Sequence, residues 1–161
     1  MSEKTAGMKL GSTMLLRAAI LVIGLTVLGL CAIALPAGIA SDQTEMYKYI
    51  LMGLYIPAIP FFYALHQTLK LLGYIDKNKA FSESSVQALK YIKYCAVAIS
   101  ALFAAGMPYI FYVADKDDAP GVAAVGFVII GASFVIAATA GVFQRLVQHA
   151  VDIKSENDLT V

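Results

Sequence analysis

Four stretches of this chain carry almost no charge, and each is long enough to cross a lipid bilayer. The first, Ala18 to Ala40, lies between Arg17 and Asp42. The second follows Lys48, runs from Ile50 to Leu69, and reaches about residue 72 once the Lys70 ammonium snorkels to the headgroups. The third, Tyr94 to Ala114, is bracketed by Lys93 and Asp115, and the fourth, Gly121 to Leu146, meets no charge until Arg145. A bilayer core of ~30 Å needs ~20 helical residues. No strand-like alternation of polarity is present, so helices are the way these backbones satisfy themselves in lipid. The expected fold is all-α, a single four-transmembrane-helix bundle over 1–161 with spans near 18–40, 50–72, 94–114 and 121–146 and a tail over 147–161.

Composition agrees. Hydrophobic residues make up 60% of the chain and charged residues 14%, against about 45–50% and about 25% in soluble domains. A formal net charge of +1 excludes a basic nucleic-acid binder, and Cys31 and Cys95 are too few for a secreted disulfide framework. The first run, preceded by Lys4, Lys9 and Arg17, has the charge order of a signal peptide. It exceeds the about 7–15 apolar residues of a secretory core, which favours a retained span.

Ten of the twelve Lys and Arg residues fall on one side of these spans: Lys4, Lys9, Arg17, Lys70, Lys77, Lys79, Lys90, Lys93, Arg145 and Lys154. Lys48 and Lys116 lie on the other, beside Asp42, Glu45, Asp115, Asp117 and Asp118. The positive-inside rule therefore predicts that both termini and the loop between spans two and three face the cytosol. Tyr47, Tyr49, Tyr109 and Tyr112 mark the outer interface and Tyr74, Tyr91 and Tyr94 the inner one, in a chain without Trp.

Helices in lipid approach closely only through small residues. Ser133, Ala137 and Gly141 form such a stripe on span four, and Ser100 with Ala104 and Ala101 with Ala105 form shorter ones on span three. Packing within one bundle is the expected use, and a homo-oligomer face is the other. Pro57 and Pro60 predict a kink in span two, either opening a cavity or filled by Phe61 and Phe62. Ser82 with Glu83 reads as a helix start, continued by the apolar stripe Val86, Leu89, Ile92 and Ala96. After span four the stripe Leu146, Val147, Ala150 and Val151 continues inward, with Arg145, His149, Asp152 and Glu156 on the opposite face. These cytoplasmic extensions are expected to pack on each other, joined by a turn over Tyr74 to Ala80.

Chemistry is sparse. No phosphate loop, Cys-x-x-Cys, His-Glu-x-x-His or GxSxG elbow occurs, so no enzyme activity, cofactor or metal is expected. His66, Gln67 and Lys70, with Pro57 and Pro60, are the candidate site in span two, because ionisable groups inside a span are functional by default; snorkelling and interhelical bonding are the plainer account. Asp115, Asp117 and Asp118 crowd the outer loop, either as oxygen ligands for a cation or as a plain acidic turn. The segment Ser155 to Val161 ends on Leu159 and Val161, suited to adding as a strand to a partner or inserting into a groove, or else a frayed end. Arg145, His149, Asp152, Glu156, Leu159 and Val161 thus form the candidate partner site.

Three segments together resemble a family of small bacterial membrane proteins known only as a domain of unknown function. They are Tyr74-Ile75-Asp76-Lys77-Asn78-Lys79-Ala80-Phe81-Ser82 with Lys90-Tyr91-Ile92-Lys93-Tyr94-Cys95, the outer loop Ala114 to Gly121, and Asp152 to Val161. The resemblance implies a four-span protein whose gene often neighbours a small Cro/CI-type helix-turn-helix regulator, hence a membrane partner for a transcription factor. The expected function is a membrane sensor or anchor that binds such a regulator and does not touch nucleic acid itself. A small oligomeric transporter or channel component is the alternative; no acidic residue lies within any run, which leaves His66 as its proton-carrying group.

Overall fold

The computed structural model describes the backbone of residues 2–41 and 45–160, and side chains from residue 11 onward. Val161 and Asp42, and the side chains of Lys4 and Lys9, lie outside the described residues. Every regular element described is helical: α1 (Ser2–Gly29), a π-helical turn (Leu30–Ala34), α2 (Leu35–Ala40), α3 (Glu45–Gly53), α4 (Tyr55–Asp76), α5 (Glu83–Lys116) and α6 (Pro120–Leu159). Four apolar helical units have the length to cross a membrane: Gly11–Ala40, Glu45–Asp76, Glu83–Lys116 and Pro120–Leu159. Each contains one expected span. The four run alternately up and down, which brings the described chain ends to one end of the bundle.

The break in the first unit follows from Pro36. A proline lacks a donor and its ring crowds the carbonyl four residues back. The helix widens just before it, and the Leu35 amide donates to Leu30 O, five residues back. Leu35 N–H is thereby taken and Pro36 has none, so Cys31 O loses its backbone partner. The Tyr55 hydroxyl from the neighbouring unit donates to it at 2.9 Å. Cys31 thus sits at a tertiary hydrogen bond made by its carbonyl.

The second unit is interrupted at Leu54, between α3 and α4. Pro57 crowds Gly53 O and cannot bond it, so the interruption falls one turn before the proline. Pro60 lies inside α4 without ending it, as does Pro108 in α5. α1 and α2 lie against this second unit through close approaches. A β-carbon on Gly24 would lie 2.8 Å from Leu65 Cδ2, and one on Gly38 would lie 2.9 Å from Leu51 Cδ1. At the terminal end, Arg17 Nη2 donates to Asp76 Oδ2 at 2.6 Å.

α4 ends later than the sequence suggests: Tyr74 to Asp76 are its last residues, and the turn is confined to 77–82. Asn78 adopts φ 53° to reverse the chain, and Lys79 N donates to Tyr74 O at 2.8 Å. Ser82 then caps α5 as expected. Its Oγ accepts from Ser85 N at 3.4 Å and donates to Lys79 O at 2.8 Å.

α5 and α6 share the most extensive interface of the fold. Their 34 and 40 residues give helices about 50 and about 60 Å long at ~1.5 Å per residue, well beyond a ~30 Å hydrocarbon layer. Both therefore project past the lipid at the terminal end, as expected. Val86, Leu89 and Ala96 are buried there, while Glu83, Gln87 and Lys90 are exposed. Further along, Ser133, Ala137, Ala140, Ala123 and Gly126 of α6 are buried against α5, and Ser100 Oγ donates to Ile130 O at 3.4 Å. A β-carbon at Gly126 would meet Met107 Sδ at 2.8 Å. The shorter stripes on span three pack differently from expectation. Ala101, Ala104 and Ala105 are exposed, because the contact with α6 runs through Ala96, Ser100 and Met107. Large apolar side chains such as Leu15, Val128 and Phe134 point outward, where lipid rather than water is their solvent.

Candidate functional site

The kink in span two opens a cavity rather than closing on its aromatic residues. A space of about 210 Å³ lies between Tyr49, Ile50, Gly53, Leu54, Ile56 and Pro57 of the second unit and Leu102, Phe103, Gly106, Tyr109 and Ile110 of α5. Phe61 and Phe62 do not line it; they stack edge to face on each other at 5.6 Å, because they lie a full turn beyond Pro57. The cavity is almost wholly apolar, with tyrosines at its rim. Tyr109 donates to Met46 O at 3.1 Å and packs edge-on against Tyr49 at 6.3 Å. Such a space suits a small apolar group or an acyl chain.

The remaining span-two candidates do not join this cavity. His66 and Lys70 are exposed on the outside of the bundle, while Gln67 faces inward at 6% exposure. A spacing of one residue from Gln67 to His66 turns the two side chains about 100° apart on a helix. His66 therefore faces lipid or a neighbouring molecule, not a passage through this bundle.

The acids between α5 and α6 do not converge either. Asp115 lies in the last turn of α5, Asp117 follows its end, and Asp118 adopts a left-handed φ of 49°. Ala119 N donates to Ala114 O at 2.9 Å and fixes the reversal. The Asp117 carboxylate accepts from the Tyr47 hydroxyl. Among the described residues no group of three His, Cys, Asp or Glu side chains is placed to hold a metal ion. His149 Nδ1–H donates to Arg145 O of its own helix at 3.0 Å, and Gln148 Nε2 donates to Asp152 Oδ1 at 2.9 Å. Those bonds run along α6 and tie both side chains to their own helix.

The expected free tail is helix. α6 continues to Leu159, and Thr160 Oγ1 donates to Glu156 O at 2.7 Å. Strand addition by Ser155 to Leu159 is therefore overturned: Ser155, Glu156, Asn157 and Asp158 extend a long preformed helix whose amides are already bonded. This end forms a groove of about 390 Å³ with the start of α5, lined by Phe81, Ser82, Val151, Lys154, Ser155, Asp158 and Leu159. Phe81 is 62% exposed and Leu159 85%. Arg145, His149, Asp152 and Glu156 lie exposed on α6, with Leu146 exposed as well, so the inward stripe begins at Val147. Phe81 was absent from the expected site. Its place beside the Ser82 cap was the available signal, since a large apolar residue just before a helix start either staples the turn or is left for a partner.

The Arg17–Asp76 ion pair also escaped sequence reasoning. Both residues lie just outside apolar runs at the same end of the bundle, which is the signal that places them at similar depth.

The family model described as "Protein of unknown function (DUF2975)" matches residues 32–161. The chain belongs to this family. It is 53% identical to the "Uncharacterized membrane protein YoaS" of Bacillus subtilis (strain 168), over 93% of this chain and 98% of that protein. No solved structure matches. The chain is accordingly a membrane protein of unknown function, with four helices able to span a bilayer.

Proposed function

We propose that this protein is a non-enzymatic sensor or anchor in the bacterial cytoplasmic membrane, with both termini in the cytosol. Its terminal end binds a small Cro/CI-type helix-turn-helix regulator. The observation that carries this reading is the α5–α6 projection, with a groove flanked by exposed Phe81 and Leu159. Apolar side chains exposed on the spans are covered by lipid, but these two lie beyond the apolar runs, where a protein partner is the remaining cover. The groove also carries Lys154 and Asp158, one charge of each sign, for orienting that partner. The excess of Lys and Arg at this end supports its cytosolic placement, and the family resemblance supplies the class of partner. The apolar cavity beside Pro57 is the sensing element. A ligand there shifts the bundle only through a difference in affinity between two arrangements.

Co-purification from native membranes with the regulator encoded beside the gene tests the reading. The full chain is expected to retain that regulator, and deletion of residues 155–161 or Phe81→Asp with Leu159→Asp is expected to release it while membrane insertion persists. Equal retention by the deletion and by the double variant overturns the docking assignment.

A further inference from the structure

We infer that a cleft on the lipid-facing side of the α5–α6 pair binds an anionic glycerophospholipid, with Lys93 and Arg145 holding its phosphate. The site is separate from the terminal groove and does not rest on the regulator reading.

The cleft has a volume of about 380 Å³ and is lined by Lys93 of α5 and by Ala137, Ala138, Gly141, Val142, Gln144 and Arg145 of α6. Its chemistry is divided along the helix axis. Ala137, Ala138, Gly141 and Val142 lie toward the bilayer interior, and both cations lie where the third and fourth apolar runs end. A phospholipid presents the same order, acyl chain below phosphate. Gly141 makes the cleft possible: the Lys93 stem lies across it, with Cδ 3.4 Å from where a β-carbon would stand. That path carries Lys93 Nζ to Gln144 Oε1, at 3.1 Å, and over the Tyr94 ring at 5.2 Å. One N–H of the ammonium is thus fixed by a neutral acceptor, and its charge stays uncompensated.

Arg145 is exposed and makes no ion pair among the described residues, and no carboxylate lines the cleft. Two cations without a counter-charge select an anion. The absence of any acid also argues against a zwitterionic lipid, whose own ammonium would sit beside Lys93 and Arg145 with nothing to accept it. Arg145 can present two parallel N–H donors to phosphate oxygens while Lys93 adds a point charge. Free inorganic phosphate would gain the cations but leave the apolar half of the cleft unfilled, so the lipid is the better occupant.

Native mass spectrometry of the detergent-purified full chain tests this. The probes are phosphatidylglycerol and phosphatidylcholine of identical acyl chains. The unaltered chain is expected to retain phosphatidylglycerol preferentially. Lys93→Gln and Arg145→Gln should each weaken that retention about fivefold, and the pair about 25-fold, at one surface charge each. Ala138→Leu fills the apolar half from an exposed position and should weaken retention with both cations intact. Lys90→Gln removes an equal charge outside the cleft and should leave retention unchanged. Equal binding of the two lipids by the unaltered chain overturns the proposal. So does a Lys90→Gln loss as large as that of Arg145→Gln, which would mean diffuse charge rather than a site.

Discussion

Removing one hydroxyl, by Tyr55→Phe, tests the account of the π turn. The Cys31 carbonyl has no backbone donor, because the Leu35 amide bonds Leu30 O and Pro36 lacks an N–H; the Tyr55 hydroxyl supplies the bond at 2.9 Å. Loss of the hydroxyl leaves that carbonyl unsatisfied in a membrane span. An unmade bond of this kind costs about 1–3 kcal/mol, and water is absent from the hydrocarbon to soften it. Tyr55 is 38% exposed, so a small local shift recovers part of the loss, and the expected penalty is about 1–2 kcal/mol. Equilibrium unfolding in mixed micelles measures it. The decisive comparison is in a Pro36→Ala background. There residue 36 regains its amide, and Cys31 O takes a backbone donor in either helical register. Tyr55→Phe should then cost under about 0.5 kcal/mol, a coupling that a double-mutant cycle resolves. The same penalty in both backgrounds would mean that the Tyr55 hydroxyl does not stand in for the amide that Pro36 lacks.

Gly126→Leu should destabilise the α5–α6 pair by about 1–3 kcal/mol through overpacking against Met107, and Met107→Ala should recover much of that in the same unfolding assay. Ser82→Ala should cost about 1 kcal/mol by removing the cap of α5, seen as faster amide exchange at residues 84–86. Arg17→Gln or Asp76→Asn should cost only about 0.5–1 kcal/mol, because the pair is half exposed. The coupling should shrink in high salt and return on exchanging the two charges, measured by thermal unfolding in detergent.

The spans were legible because charge in lipid is costly and its omission is conspicuous: Arg17, Lys48, Lys93 and Asp115 sit close to the ends of apolar runs. Ser82 was legible as a cap because that role needs a hydroxyl at one backbone position. The burial of Ser133 and Ala137 was likewise foreseen from their spacing. What failed depended on three-dimensional company. Pro36 stands in the first run with no sequence mark of the tyrosine that serves its helix, 19 positions further along. Phe61 and Phe62 looked suited to fill a kink, but the helical turn after Pro57 carries them away from it. The last residues looked like a tail because they are polar. A helix bonds its own backbone whatever its side chains face, and polarity alone does not end one.

α5 runs unbroken past Pro108 from the capped turn at Ser82 to Lys116. It touches the apolar cavity with Phe103 and borders the terminal groove with Ser82, 21 residues earlier, a separation of about 32 Å along the axis. A stiff rod of that reach is a lever. Pivoting it by about 5° at the cavity swings the far end by about 3 Å, comparable to the helix displacements of known switches. An acyl chain wedged near Pro57 would thus move the Ser82 end of α5 without any unfolding along the way.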